Sequence, residues 1–264
     1  PVICLPGLTR NTRDFDALAD ALAGDTSAGP AMRVLGLDAR GRGGSTHADP
    51  ATYTIPHELG DLVAVLDHLK IDEARFVGTS RGGILTMALA MTAPERVERA
   101  VLNDIGARIE PTGLTRIAGE VGQTMEYPSY EVLAQTLATR LGPQFPRLDG
   151  DDFIRFAHQV ASPHSNGGIR FDYDEKLGDV FQATSESAAE PDLWPAFDAL
   201  ARRPVLILRG VHSDILSAAT VEAMRRHAGA VETYVVPGEG HAPLLWDRQT
   251  IERVKVFLSA PDFN

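Results

Sequence analysis

The segment Gly78-Thr79-Ser80-Arg81-Gly82-Gly83 holds a serine with a glycine two residues to either side. It lies between the apolar run 74–77 and a stretch of helical periodicity over 80–92. A strand that reverses this sharply into a helix leaves its central residue in a strained conformation, and the glycines keep Cβ atoms out of the crowded turn. The Ser80 hydroxyl is then held at the end of a sheet, beside a helix N-terminus whose free N–H groups favour developing negative charge. A hydroxyl so placed can attack a carbonyl carbon. As a bare motif the residues could be a glycine-rich helix start capped by a serine; the strand–turn–helix context favours the nucleophile.

A hydroxyl is a weak nucleophile and needs a base. Of the eight histidines, His241 sits in Pro237-Gly238-Glu239-Gly240-His241-Ala242-Pro243, between the last expected strand and the last expected helix. Loops at the carboxyl ends of strands are where an α/β sheet carries its functional groups. The other histidines fall on or beside solvated helices, or in loops. The base in turn needs a carboxylate to orient it. Asp214 follows the strand-like run PVLIL and precedes His241 by about one β-α-β step. Asp104, in VLNDIG, follows an earlier strand and could reach the same histidine. Asp214 is the favoured acid, giving the order Ser80, Asp214, His241.

The elements that must position these residues alternate along the chain. Runs at 2–5, 33–37, 74–77, 97–102, 204–208 and 232–236 read as strands, and 12–22, 56–69, 80–92, 193–201, 218–227 and 243–258 as helices. Strands separated by helices of this length imply β-α-β units and a mostly parallel sheet flanked by helices. The rhythm breaks after the fourth strand. Over 108–190 the pattern offers helical pieces, notably 129–141 and 151–160, and no strand; 162–174 reads as a polar loop. The expected organisation is a core domain of 1–107 and 191–264 with a helical cap, 108–190, inserted at the sheet edge that carries Ser80. Leu114, Ile117, Met125, Leu133, Leu137, Phe153 and Phe156 are too many apolar residues for a solvated excursion. Some should pack on the core and some should line a substrate pocket.

The chain has 264 residues, 44% of them hydrophobic and 23% charged, with a formal net charge of −11. That composition suits a globular enzyme and gives no electrostatic reason to bind nucleic acid or an anionic membrane. No apolar stretch approaches the roughly 18 residues of a membrane span. The single cysteine, Cys4, lies in an apolar run, excludes an internal disulfide and suits a reducing, cytoplasmic setting. The numbering opens at Pro1, directly in a strand, so upstream residues, with one or two strands or a signal segment among them, are expected outside it. A dinucleotide-binding G-x-G-x-x-G is incomplete after Gly43, and neither a Walker motif nor H-E-x-x-H occurs. No metal or organic cofactor is expected.

The elbow GTSRGG, the acid loop RGVHSD and the histidine loop GEGHAP together resemble the α/β-hydrolase superfamily, over nearly the whole chain apart from the 108–190 insertion. CLPGLTRN (4–11) is similar to the family's oxyanion segment, with Pro6 where a histidine is usual. By this resemblance the backbone N–H groups of Leu8 and Arg81 form the oxyanion hole, and D-A-R-G-R-G-G-S (38–45) is a structural turn beside the site. The resemblance implies hydrolysis of a small to medium carboxylic ester or lactone through an acyl-enzyme; a small acyl compound is the expected partner, the chain being a monomer or a homodimer. C–C bond hydrolases, amidases and haloperoxidase-like members use the same residues, and a low-turnover ligand receptor is a further alternative. Ser80 argues against the branches with an aspartate nucleophile. Arg10 and Arg81 lie close in sequence to the oxyanion donors; each is expected in a structural ion pair, and Arg10 could also meet a substrate carboxylate.

Overall fold

The computed structural model describes residues 1–24, 31–123, 126–165, 167–187 and 192–261. The chain runs through β1 (Val2–Leu5), α1 (Asp16–Gly24), β2 (Val34–Gly36), α2 (Ile55–His68), β3 (Ala74–Thr79), α3 (Arg81–Thr92) and β4 (Val97–Asn103). An intervening segment follows, with α4 (Pro111–Glu120), β5 (Glu126–Tyr127), α5 (Tyr130–Leu141), α6 (Gly150–Val160), β6 (Ala161–Pro163), β7 (Ile169–Phe171) and α7 (Leu177–Ser187). The chain then returns through α8 (Trp194–Leu200), β8 (Val205–Gly210), α9 (Ala218–His227), β9 (Val231–Val236) and α10 (Arg248–Ser259).

Six strands form a parallel sheet in the order β2-β1-β3-β4-β8-β9. Period-2 alternation sends successive side chains to opposite faces. Ile3, Leu5, Phe76, Ala100, Leu102 and Ile207 belong to one buried cluster, completed by Leu62 and Leu66 of α2, Leu85 and Leu89 of α3 and Phe197 of α8. Val2, Cys4, Val77, Val101, Leu206 and Leu208 belong to the other, against Leu18 and Leu22 of α1 and Val254, Phe257 and Leu258 of α10. Coverage on both faces is what a parallel sheet requires. Burial pushes the Cys4 thiol up to about 12, so it packs as an inert apolar side chain. Among the described residues no helix is long and apolar enough to cross a membrane.

The register brings the functional strand ends level. Leu5 pairs with Gly78, Thr79 with Asn103, Asn103 with Leu208 and Gly210 with Val236. Loops that leave β1, β3, β4, β8 and β9 therefore converge on one edge.

Two expectations change. The segment after β4 carries strand as well as helix: β5, β7 and β6 form a small antiparallel sheet, with Ala161 opposite Phe171 and Pro163 opposite Ile169. The polar loop expected at 162–174 is in part this hairpin. Strands of two or three residues are too short for periodicity to register. The last helix begins at Arg248 rather than at 243, because the Asp247 side chain accepts the Thr250 N–H at 2.9 Å and caps it there.

Leu133, Leu137, Phe153 and Phe156 are buried in a cluster of the intervening segment that also takes in Leu244 and Trp246, just past His241. Ile117 packs with Leu8, Tyr53 and Leu177. Met125 lies outside the described residues, as does the far boundary of the segment near 190.

Candidate active site

Ser80 joins β3 directly to α3 with φ of 49° and ψ of −113°, a conformation that non-glycine residues rarely adopt. Its N–H donates to Asn103 O on the neighbouring strand, and its carbonyl accepts from Gly83 N and Ile84 N. The flanking glycines are needed for close approach. A Cβ on Gly82 would lie 2.0 Å from Leu5 O, and one on Gly78 2.6 Å from the Gly82 carbonyl. The strain is held because α3 is pressed this tightly against the ends of β1 and β3.

His241 faces the serine, with Nε2 3.0 Å from Ser80 Oγ. Its other nitrogen, Nδ1, is 2.8 Å from Asp104 Oδ2. Asp104 is fully buried and leaves β4 at φ 56°. Its carboxylate also accepts from Gly210 N at 2.8 Å and from Ser213 Oγ at 2.6 Å. Three donors satisfy a charge that burial alone would penalise. The expected partnership of Asp214 with His241 is therefore corrected: the carboxylate on the imidazole belongs to Asp104.

Asp214 sits nearby in a different bond set. Arg116 of α4 donates Nε to its Oδ2 at 2.6 Å and Nη2 to its Oδ1 at 2.9 Å, and Gln144 Nε2 adds a third bond at 3.1 Å. Burial opposes the Asp214 charge, but the Arg116 hydrogen bonds and charge, with His241 behind them, hold its carboxyl below the usual range. The physical reason for the correction is this fork–fork pair, which turns Asp214 toward α4.

Two residues that motif reading did not single out help to set the histidine loop. Gln144 Oε1 accepts the His241 N–H at 3.1 Å. Buried Asn103 donates to Pro243 O at 2.9 Å and to Thr79 Oγ1 at 3.0 Å, tying that loop to β3 and β4. Gly240 permits the approach of Gln144, and Gly210 that of Gly240 O at 2.3 Å from a would-be Cβ. Glu239 closes the loop by accepting the Leu244 N–H at 2.7 Å; burial pushes its carboxyl up to about 7.

The segment 6–8 borders the nucleophile: a Cβ on Gly7 would lie 3.8 Å from Ser80 Cβ. Gly7, just past β1, thus lies beside Ser80, and Arg81 follows Ser80 into α3. Gly7 O accepts from Arg10 N, and Ser80 O from Gly83 N, so the peptides that carry the Leu8 and Arg81 N–H groups are each fixed from the carbonyl side. Arg10 pairs with Asp14 through two bonds and lies over the Phe156 ring at 4.3 Å. The Arg81 side chain pairs with Glu58 at 2.8 Å. In the 38–45 turn, Asp38 accepts from Thr12 N at 2.7 Å and Gly44 N at 2.8 Å, and Ser45 Oγ donates back to Asp38 O.

The intervening segment reaches the same edge. The Arg147 side chain packs on Gly238, Phe156 meets Trp246 edge to face, and Asn11 donates to Gln159 O at 2.9 Å. A chain of hydroxyl, imidazole and buried carboxylate can abstract a proton and attack an acyl carbon.

A family model described as alpha/beta hydrolase fold matches residues 1–248. The chain is 32% identical to a 3-hydroxybutyrate-oligomer hydrolase of Cupriavidus necator, over 93% of this chain and 84% of that protein. It is 27% identical to 3-oxoadipate enol-lactonase 2 of Acinetobacter baylyi, over 74% of this chain and 66% of the relative. A solved structure of an alpha/beta hydrolase from Novosphingobium aromaticivorans superposes with a TM-score of 0.90 at 43% identity, covering 98% of this chain and 88% of the other.

Proposed function

The chain belongs to the α/β-hydrolase fold family, and from that premise we propose that it is a serine hydrolase of small to medium carboxylic esters or lactones. One observation carries the reading: the unbroken path Ser80 Oγ, His241 Nε2, His241 Nδ1, Asp104 Oδ2, with contacts of 3.0 and 2.8 Å. His241 takes the Ser80 proton as Oγ bonds to the acyl carbon. The carbonyl π pair moves to oxygen, which the Leu8 and Arg81 N–H groups receive. The intermediate collapses, the leaving alkoxide takes the proton from His241, and an acyl-Ser80 remains. Water, deprotonated by the same imidazole, repeats the attack and frees the acid. Asp104 holds Nδ1–H and stabilises the imidazolium.

Esters of hydroxy acids are the substrate class favoured by the relatives' names: one acts on 3-hydroxybutyrate oligomers, another is an enol-lactonase. The intervening segment serves as a lid. Its contacts with residues 8–13 and 238–246 support that reading, and an apolar lid suits short acyl groups.

The test is labelling with a fluorophosphonate, location of the adduct by mass spectrometry, and turnover of p-nitrophenyl butyrate and 3-hydroxybutyrate dimers and trimers. The expected outcome is one adduct, on Ser80, lost together with all turnover in Ser80→Ala. An adduct on another serine with Ser80 bare, or turnover that survives Ser80→Ala, overturns the assignment.

A further inference from the structure

We propose that Glu58 is a positioning residue for the oxyanion hole, joining the two arginines that hold its two donors. This rests on the serine-hydrolase reading above. Glu58 lies in the first turn of α2, and its side chain is 2% exposed. Its Oε1 accepts Arg42 Nη1 at 2.9 Å and Arg81 Nη2 at 3.1 Å, while Oε2 accepts Arg81 Nε at 2.8 Å. Arg42, with its side chain 1% exposed, sends Nε to Leu8 O at 2.9 Å and Nη1 to Arg40 O at 2.7 Å. Arg81 sends Nη2 to Tyr53 O at 3.2 Å.

One carboxylate thus reaches both proposed donors from behind. On one side it anchors the side chain of Arg81, whose own N–H is a donor. On the other it orients Arg42, which grips the Leu8 carbonyl and so fixes the residue whose N–H is the second donor. Pro6, Gly7, Arg42, Glu58, Arg81 and Gly82 all line one small cavity, so the network and the flanks of the hole are a single packed unit. Asp38 and Asp61 line the same cavity, and Arg40 pairs with Asp61 at 2.7 Å, so the arginines around it do not outnumber the carboxylates. Buried ion clusters contribute little to stability, because desolvation offsets their attraction. The value of this one lies in fixing the two residues whose N–H groups are the donors: a preformed pair needs no reorganisation when negative charge develops at the acyl oxygen.

The network should act on the transition state and not on substrate binding. The experiment compares wild type with Glu58→Gln and Arg81→Gln. It measures kcat and KM for p-nitrophenyl butyrate, the phosphonylation rate of Ser80, and inhibition by a trifluoromethyl ketone with the same acyl chain, which forms an oxyanion on Ser80. Circular dichroism and melting establish folding. In Glu58→Gln, kcat and the phosphonylation rate should fall by about tenfold or more. KM should move by less than about threefold, and ketone affinity should weaken by the same factor as kcat/KM. Arg81→Gln leaves Arg42 and Glu58 as a neutral pair, so it keeps the fold and shows the same pattern with a smaller factor; it decides the matter alone if Glu58→Gln does not fold. Folded variants with wild-type kcat and ketone affinity, or a loss confined to KM, overturn the inference while a labelled Ser80 leaves the underlying reading intact. A wild-type protein that is not labelled on Ser80 overturns both.

Discussion

The Arg116 guanidinium grips the Asp214 carboxylate with two hydrogen bonds, at 2.6 and 2.9 Å. It thereby joins α4 of the intervening segment to the loop after β8, and Gln144 extends the link to the His241 backbone. Asp214 is a clasp between the two parts of the molecule, and Asp104 is the carboxylate that faces the imidazole.

The two aspartates should therefore separate by function. Asp104→Asn keeps the shape but favours the wrong imidazole tautomer, and kcat should fall by roughly four decades. Asp214→Asn should leave kcat within about tenfold, because it touches neither His241 nitrogen, and should cost about 1–2 kcal/mol through the weakened charge-assisted bonds. Its carboxyl is held below the ordinary 3.8, so the stability it contributes is present above that value and lost as pH falls through the folded one. Parallel kinetics and urea melts of both variants check this. A crippled Asp214→Asn beside a mild Asp104→Asn would reverse the assignment.

The choice between these carboxylates was hidden in the sequence for a physical reason. Asp104 and Asp214 both follow strands that are neighbours in the sheet, and each could swing toward the histidine. What decides is Arg116, distant in the chain and without a local pattern to mark it. Ser80 and His241 were legible because the turn around each imposes glycines at fixed offsets. The parallel sheet was legible from alternating periods. Glu58 was not singled out: it reads as an ordinary acid in the first turn of an amphipathic helix, and its burial comes from Arg42 and Arg81, neither near it in sequence.

Gly82 offers a test of the elbow that is independent of chemistry. A Cβ there would meet the Leu5 carbonyl oxygen at 2.0 Å, and backbone cannot step aside as a side-chain tip can. Gly82→Ala should destabilise by about 3 kcal/mol or more or fail to fold, whereas Gly60→Ala, with open space around its Cβ on α2, should be neutral or stabilising by about 0.5–1 kcal/mol. Thermal melts of the pair decide it.

Glu239 sets a pH dependence of stability. Burial raises its carboxyl from 4.5 to about 7, with Asp247 raising it further and the Leu244 N–H and Arg147 opposing. A raised carboxyl binds its proton more tightly when folded. Its favourable contribution is complete below pH 4.5 and lost as pH rises toward 7. Glu239→Gln mimics the protonated form and can still accept the Leu244 N–H. The variant should match wild type at pH 4.5 and exceed it at pH 8 by on the order of 2 kcal/mol. Equal urea midpoints at both pH values would remove Glu239 from the account.

The lid reading predicts an acyl-length limit. Phe156 packs between Arg10, whose guanidinium lies 4.3 Å from its ring, and Trp246, at 6.2 Å between centroids. Arg10 Cγ lies 3.4 Å from a would-be Cβ on Gly7, which borders Ser80. Phe156 thus closes the layer directly behind the segment that flanks the nucleophile. With that layer intact, rates on p-nitrophenyl esters should be highest for short and medium acyl chains and fall steeply for long ones, and long triglycerides should be poor substrates. Phe156→Ala removes a buried ring at a cost of about 3–5 kcal/mol, so Phe156→Leu, which keeps most of the volume, is the companion variant. Both should shift the optimum toward longer chains, the alanine variant more, with kcat on the shortest ester reduced as water enters. The shift should appear in the ratio of kcat/KM between long and short esters, which a general loss of stability does not move. An unchanged ratio in two folded variants, or wild-type rates that climb toward long chains, would mean that the intervening segment does not form the wall of the acyl pocket.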